Sequence, residues 1–190
     1  MGWENTFKIV VNGMDTVGKS CLLHRYANQY FPDPQLPAVF DDDIRQMTYK
    51  DMTIKQVLKE TYGNEGYPLI RPLCYLNTTC FVLCFSLVDQ TSFDEIETIW
   101  IPEIKKNNQT TPIILVGTKS DLRDTKMVNR DNKSIQTENG IRLATEIGAM
   151  KYIECSALTN YNIDLVFEEA KKESAIFIGI NPQITKCIVC

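Results

Sequence analysis

Residues 13–20 read GMDTVGKS: a glycine, four residues, then Gly-Lys-Ser. The spacing is that of a loop built to hold phosphate, and its flanks decide the fold. Upstream, residues 7–12 (FKIVVN) form a short apolar run that reads as a buried strand. Downstream, residues 19–28 (KSCLLHRYAN) have helical spacing, with Cys21, Leu22 and Leu23 against a polar remainder. In a strand–loop–helix setting, glycines let backbone N–H groups curl around phosphate oxygens, and the helix N-terminus adds partial positive charge. Lys19 would then reach the β/γ-phosphates and Ser20 would offer its hydroxyl to Mg²⁺, with Gly13, Met14, Asp15, Thr16, Val17, Gly18 and Cys21 as the remaining loop contacts. The bland reading is an ordinary glycine turn, against which the flanking strand and helix argue. One residue is out of keeping with phosphate: the carboxylate of Asp15.

Working outward, residues 29–42 are rich in Pro and Asp and read as a long loop. Residues 43–49 and 52–59 form two extended stretches joined at Lys50-Asp51, a hairpin. Residues 60–76 read as irregular. Residues 80–87 (CFVLCFSL) and 112–117 (PIILVG) are continuous apolar runs, as in parallel strands covered on both faces. Helical patterns follow at about 91–107 and 137–147, then a short strand at 151–155 and a last helix at 162–177. The predicted class is α/β: a mostly parallel six-stranded sheet with one antiparallel hairpin, helices on both faces, and ligands at the C-terminal strand ends. Residues 1–178 form the domain and 179–190 a flexible tail.

The 190 residues carry a net charge of −4, which argues against a nucleic-acid binder working by phosphate neutralisation. No apolar run is long enough to span a bilayer, and MGWENTF lacks the features of a secretory signal. The seven cysteines are odd in number and scattered, so they read as reduced thiols, and the N-x-[ST] matches at Asn77, Asn108 and Asn132 carry no meaning. His24, the only histidine, sits mid-helix and reads as a surface or half-buried side chain. Trp100 reads as packing near its helix end, and Cys80 and Cys84 as core.

The base is read elsewhere. Thr118-Lys119-Ser120-Asp121 follows the strand 112–117, and Ser156-Ala157-Leu158 follows the last strand, so both lie on the rim that carries the phosphate loop. The Asp121 carboxylate can accept from the two N–H groups on guanine's edge, a pair adenine lacks. Lys119 can lie over the ring face, and the Ala157 backbone can donate to a carbonyl oxygen. Each motif alone is weak and has solvated loop residues as its bland counterpart; the three together, in this order, are specific.

These residues, with LPAVFDD, LIRPLCY, CFVLCFSLVDQTSF, TPIILVGTKSDLRD, EIGAMKYIECSAL and the terminal CIVC, resemble the Ras-like small GTPases, P-loop NTPases with a G domain, over essentially the whole chain. FSL at 85–87, TKSDLRD and ECSAL are similar to the Rho/Rac branch. The resemblance implies GTP/GDP and Mg²⁺ as ligands, and an effector region at Gln35, Leu36, Pro37, Ala38, Val39, Phe40, Asp41, Asp42 and Asp43. It further implies effector proteins, exchange factors and dissociation inhibitors as partners, and a monomer. Phe31 stands where the family's aromatic packs on the base edge; a plain hydrophobic anchor is the equal alternative. The family's helical insert would follow Asp124, where the chain is several residues short.

Four positions depart from the family around the γ-phosphate. Asp15 replaces a glycine, crowding the attacking water and adding repulsive charge. Ala38 replaces the switch I threonine that ligates Mg²⁺. The family's D-T-A-G-Q-E appears as Glu60-Thr61-Tyr62-Gly63-Asn64-Glu65, so Glu60 approaches Mg²⁺ one methylene too far forward, while the Gly63 N–H can still meet a γ-phosphate. Asn64 replaces the water-orienting glutamine and falls short by on the order of 1.5 Å, where misplacement by about 1 Å can cost ~10²-fold. Phosphoryl transfer rests on positioning and electrostatics, so turnover is predicted to be poor while guanine binding survives.

The terminal Cys187-Ile188-Val189-Cys190 has the C-a-a-X form, which implies prenylation of Cys187, then trimming and methylation; geranylgeranyl follows from the resemblance, and Cys190 leaves farnesyl open. A CxxC metal or redox pair is disfavoured by the lack of a second pair. One lipid with a single tail lysine, Lys186, predicts weak or partner-dependent residence on the cytoplasmic face of the plasma membrane or an endomembrane, with a cytosolic pool. Met1-Gly2…Thr6 nominally fits a myristoylation string, with bulky Trp3 against it. Two readings of function remain: a GTP-dependent switch that recruits effectors with slow hydrolysis, and a pseudo-GTPase interaction module holding GDP or nothing. An ATP-dependent P-loop kinase is disfavoured by TKSD.

Overall fold

The computed structural model describes residues 5–32, 40–63, 71–124 and 134–180. Strand β1 (Thr6–Asn12) runs into the glycine loop and helix α1 (Lys19–Asn28); β2 (Asp43–Tyr49) and β3 (Met52–Glu60) follow. Lys50 and Asp51 join them with φ of 46° and 67°, the left-handed pair that matches the twist of a tight hairpin. After α2 (Arg71–Cys74) come β4 (Cys80–Ser86), α3 (Gln90–Glu95), a π-helical turn (Ile96–Trp100) and α4 (Ile101–Asn107). The remainder is β5 (Ile113–Thr118), α5 (Ser120–Asp124), α6 (Thr137–Ile147), β6 (Lys151–Glu154) and α7 (Ile163–Phe177).

The six strands lie in the order β2-β3-β1-β4-β5-β6, and only β2 runs antiparallel to its neighbour. The chain moves to one side of β1 for the hairpin and to the other for β4. The glycine loop after β1 therefore sits at the topological switch point, where such sheets bind ligands.

The continuous apolar runs are explained by cover on both faces. Ile9, Val11, Val82, Cys84 and Val116 pack with Leu22 and Leu23 of α1 and Phe167 of α7. The alternate residues Val10, Phe81, Leu83, Phe85 and Leu115 pack on the other face with Ile96, Trp100 and Leu143. Cys80 and Cys84 are fully buried core thiols, and burial pushes the Cys84 thiol up to about 12.

The structure departs from the sequence reading in three places. The stretch 60–76, read as irregular, contributes the end of β3 and the short helix α2. The helix read over 91–107 is broken by a π turn at Ile96–Trp100, just before Pro102, which has no N–H to give the carbonyl four residues back. Trp100 thus lies in mid-helix rather than near its end, and it is buried under the Arg71 guanidinium, 4.8 Å from its ring. Residues 120–124, read as loop, form α5. Ile180 donates its N–H to the Ala175 carbonyl (2.8 Å) and packs beside Phe7, Tyr49 and Ile54.

Candidate nucleotide site

The phosphate loop is pressed against the sheet. A Cβ on Gly13 would come 2.2 Å from the Cys84 carbonyl oxygen, and its φ of +137° is closed to other residues, so only glycine fits as the loop leaves β1. Gly18, with φ +101°, opens α1. Lys19 is the buried cation of the loop, 4% exposed; its ammonium donates to the Met14 carbonyl at 2.9 Å, and the nearest carboxylate oxygen, on Asp15, stands at 4.0 Å. Burial lowers its pKa, while Glu60, Cys84 and Asp15 pull it back up. A desolvated ammonium held by one carbonyl, with its carboxylate beyond hydrogen-bond range, fits an anion supplied from outside.

Ser20 at the first turn of α1 donates its hydroxyl to Glu60 Oε1 at 2.8 Å. The extra methylene of Glu60 lets its carboxylate touch the hydroxyl directly. Burial raises the Glu60 pKa, opposed by the Ser20 bond and by Lys19. Two hard oxygens at the floor of the site fit Mg²⁺, which takes one or two protein ligands and completes its shell with phosphate and water. Among the described residues, no group of three or more His, Cys, Asp or Glu side chains gathers into a metal site of its own.

Around these residues opens a cavity of about 730 Å³, lined by Asp15, Thr16, Gly18, Lys19, Ser20, Cys21, Phe40, Asp41, Asp42, Lys59, Glu60, Thr61, Tyr62 and Cys74. Asp42 is paired with Lys59 (2.5 Å). Phe40 is buried beside His24, whose ring lies half-buried on α1 and contacts Tyr30 and Asn28. Gly63 lies against the loop itself: a Cβ there would meet the Asp15 nitrogen at 2.3 Å and Asp15 Oδ1 at 2.5 Å.

A second, more apolar cavity of about 300 Å³ adjoins it, lined by Val17, Gly18, Cys21, Leu22, Phe31, Thr118, Lys119, Asp121, Leu122, Cys155, Ala157 and Leu158. Every motif read as binding the base therefore meets here. Phe31 faces this cavity, with the Arg25 guanidinium 6.0 Å from its ring centre. Thr118 and Lys119 tie the cavities together: the Thr118 hydroxyl lies 2.6 Å from the Val17 carbonyl, and Lys119 Nζ donates to the Thr16 carbonyl at 2.7 Å. Ser156 is fully buried; it pairs with Tyr161 through both backbone groups and accepts the Thr159 N–H on its hydroxyl.

Sequence reasoning missed Arg25. From α1 it donates to the carbonyls of Ala157 (2.7 Å) and Leu158 (3.2 Å), holding the base-side loop against the phosphate-side helix. Nothing in one arginine on a helix signals a partner 132 positions away. Asn64, residues 35–39, the shortened stretch after Asp124 and Cys187 lie outside the described residues.

A glycine loop at the switch point, a buried lysine and an adjoining apolar pocket with a carboxylate at its rim define a P-loop nucleotide-binding domain. The chain matches the Ras family model over residues 8–175, and it belongs to the Ras family. Members of that family are small GTP-binding switch proteins that use GTP or GDP with Mg²⁺.

Proposed function

We propose that this protein is a Rho-type guanine-nucleotide switch that recruits effectors through residues 35–43 and turns GTP over slowly. The observation that carries the reading is the junction of two cavities: a phosphate cavity with the buried Lys19, and a base cavity with Asp121, Lys119 and Phe31, sharing Gly18 and Cys21. In this reading Asp121 accepts from guanine's paired N–H groups, Lys119 covers the ring, and Ala157 donates to its carbonyl. Lys19 and the loop amides hold the phosphates, and Ser20 with Glu60 holds Mg²⁺, which would neutralise phosphate charge. Gly63 presents its N–H toward the terminal phosphate. The sequence of switch I and Asn64 supports slow hydrolysis, and the terminal CIVC supports prenylation of Cys187 and a cytoplasmic membrane face with a cytosolic pool.

A second reading, a pseudo-GTPase module holding GDP or nothing, is favoured by the seating of Gly63 on Asp15, which crowds the loop where a third phosphate would be read. The deciding experiment is to purify the chain in Mg²⁺, denature it and identify the released nucleotide by chromatography. GTP supports the slow switch, GDP with ready GDP loading supports the second reading, and failure to load any guanine nucleotide overturns the nucleotide reading itself.

A further inference from the structure

The apolar run 9–11 of strand β1 ends on Asn12, which is fully buried. A buried amide at the end of an apolar strand is costly unless its polar groups are paired, and here both ends are. Asn12 Oδ1 accepts from the Thr61 hydroxyl at 2.7 Å, and Asn12 Nδ2 donates to the Tyr75 hydroxyl at 2.8 Å. Tyr75 in turn donates its hydroxyl to Glu103 Oε1 at 2.5 Å. Glu103 is in turn gripped by Arg71 Nη2 (2.6 Å) and Nε (3.1 Å), and the Arg71 guanidinium lies over Trp100.

The directions of these bonds suit an amide at position 12. The Tyr75 proton goes to Glu103, so Tyr75 accepts from Asn12; the Thr61 hydroxyl lies 2.7 Å from Asn12 Oδ1, closer than its other acceptor, the Val11 carbonyl at 3.3 Å, which also takes the Thr61 N–H. Only a group with an acceptor and a donor side by side serves both. Thr61 directly follows Glu60 of the proposed Mg²⁺ pair; Arg71 and Tyr75 lie in and just after α2. One side chain on the rigid sheet thus binds both described ends of the segment that carries Gly63.

We propose that Asn12 is a positioning residue: it ties Thr61 and Tyr75 to the sheet, so that the flanks of this segment keep one arrangement whichever guanine nucleotide is bound. The proposal rests on the switch reading above. A family switch responds by rearranging this region, and a chain that fastens both flanks through its own core has a damped response there. A nucleotide can shift these flanks only by its differential affinity for two arrangements, which must exceed what the clasp's hydrogen bonds supply.

The test is amide hydrogen exchange over residues 60–63 and 71–76 in the full chain, loaded with GDP or with the imido analogue of GTP. In the unaltered protein, both flanks should exchange alike with the two nucleotides. In Asn12→Val, both flanks should exchange roughly tenfold faster and become nucleotide-dependent. Thr61→Ser should keep the protection and Thr61→Val should lose it at the first flank, which separates the hydrogen bond from mere packing. If Asn12→Val does not fold, Tyr75→Phe, which removes the Asn12 bond and the Glu103 bond of Tyr75, is read at the second flank and Thr61→Val at the first. Unchanged flanks in the variant, or a wild-type exchange that already differs tenfold between nucleotides, overturns the proposal. If loading fails, the empty chains are compared: faster flanks in Asn12→Val support the clasp, equal ones overturn it, and the failed loading overturns only the nucleotide reading.

Discussion

Gly63 rests on Asp15 so closely that a Cβ on Gly63 would stand 2.3 Å from the Asp15 backbone nitrogen. The segment after β3 and the phosphate loop are therefore in backbone contact, and Asp15, the loop's out-of-place carboxylate, is at the contact.

Gly63→Ala is expected to force the two backbones apart and to lower stability by about 1–3 kcal/mol, as overpacking does. Because the nearest atom belongs to the backbone, the double variant Gly63→Ala/Asp15→Gly should recover only a minor part. Urea denaturation of the three chains checks this; full recovery in the double variant would mean that the carboxylate, and not the backbone, makes the contact.

Asp15→Gly removes a negative charge beside the site where a third phosphate is read. Its affinity for the imido analogue of GTP, relative to GDP, should rise roughly tenfold, the scale of a partly screened repulsion between neighbouring charges. Adding Asn64→Gln should then raise single-turnover hydrolysis by at least about tenfold. Competition binding and phosphate release are the measurements, and an unchanged affinity ratio would remove Asp15 from the account.

The raised pKa of Glu60 carries a pH dependence. Its folded-state pKa lies above 4.5, so the folded chain takes up this proton earlier than the unfolded one as pH falls. The stability linked to that proton is present at low pH and is lost as pH rises through the raised value. Protonation also removes the carboxylate from the Mg²⁺ pair. In metal-free protein the stability should therefore fall as pH rises through the raised value, and Glu60→Gln should abolish that trend in an acid titration. Glu154 has the opposite sign: burial alone would raise it, but the Arg123 and Tyr152 bonds prevail and lower it. Its stabilisation persists above 4.5 and fades below, so the two carboxylates separate in an acid titration.

Arg71 and Glu103 are an ion pair 2.6 Å apart, at 3% and 15% side-chain exposure. Glu103→Leu leaves the Arg71 guanidinium beside Trp100 without its carboxylate and should cost about 3–5 kcal/mol. Equilibrium unfolding followed by tryptophan fluorescence reads both the loss and any change at Trp100; a cost below 1 kcal/mol would show the pair to be replaceable.

Gly140, inside α6, is a case where helix propensity misleads. Alanine at a helix interior ordinarily stabilises by up to ~1 kcal/mol, yet here its Cβ would lie 2.1 Å from the Tyr152 ring. Gly140→Ala should destabilise by about 1–3 kcal/mol. Gly140→Ala/Tyr152→Leu should regain most of it, as followed by thermal melting.

The fold was legible because its signals are local. The runs at 7–12, 80–87 and 112–117 each needed only a length and a composition to be read as buried strands, and the glycine loop marked where the first of them hands over to a helix. The π turn and α2 were not legible. One depends on how the helix accommodates the missing N–H of Pro102, and the other on α2 docking Arg71 against α4. The base-side motifs were readable as types of residue, and the structure brings them around one cavity. Arg25, which fastens that cavity's far loop, and Asn12, whose two partners lie 49 and 63 positions away, had no readable signal, since a side chain's hydrogen-bond partners depend on the fold.

By itself, the sequence determined the alternation of strands and helices, the place of the phosphate loop, and the residue types offered to phosphate and base, because backbone conformation follows period, glycine and proline over a few neighbouring positions. Only the tertiary structure decided that Lys19 is a buried cation with its carboxylate out of reach, that Glu60 touches Ser20, that Gly63 rests on Asp15, and that Asn12 holds both flanks of the segment between. Apart from Lys19 and Asp15, those are distances between residues far apart in the chain, and close packing of the whole domain sets them.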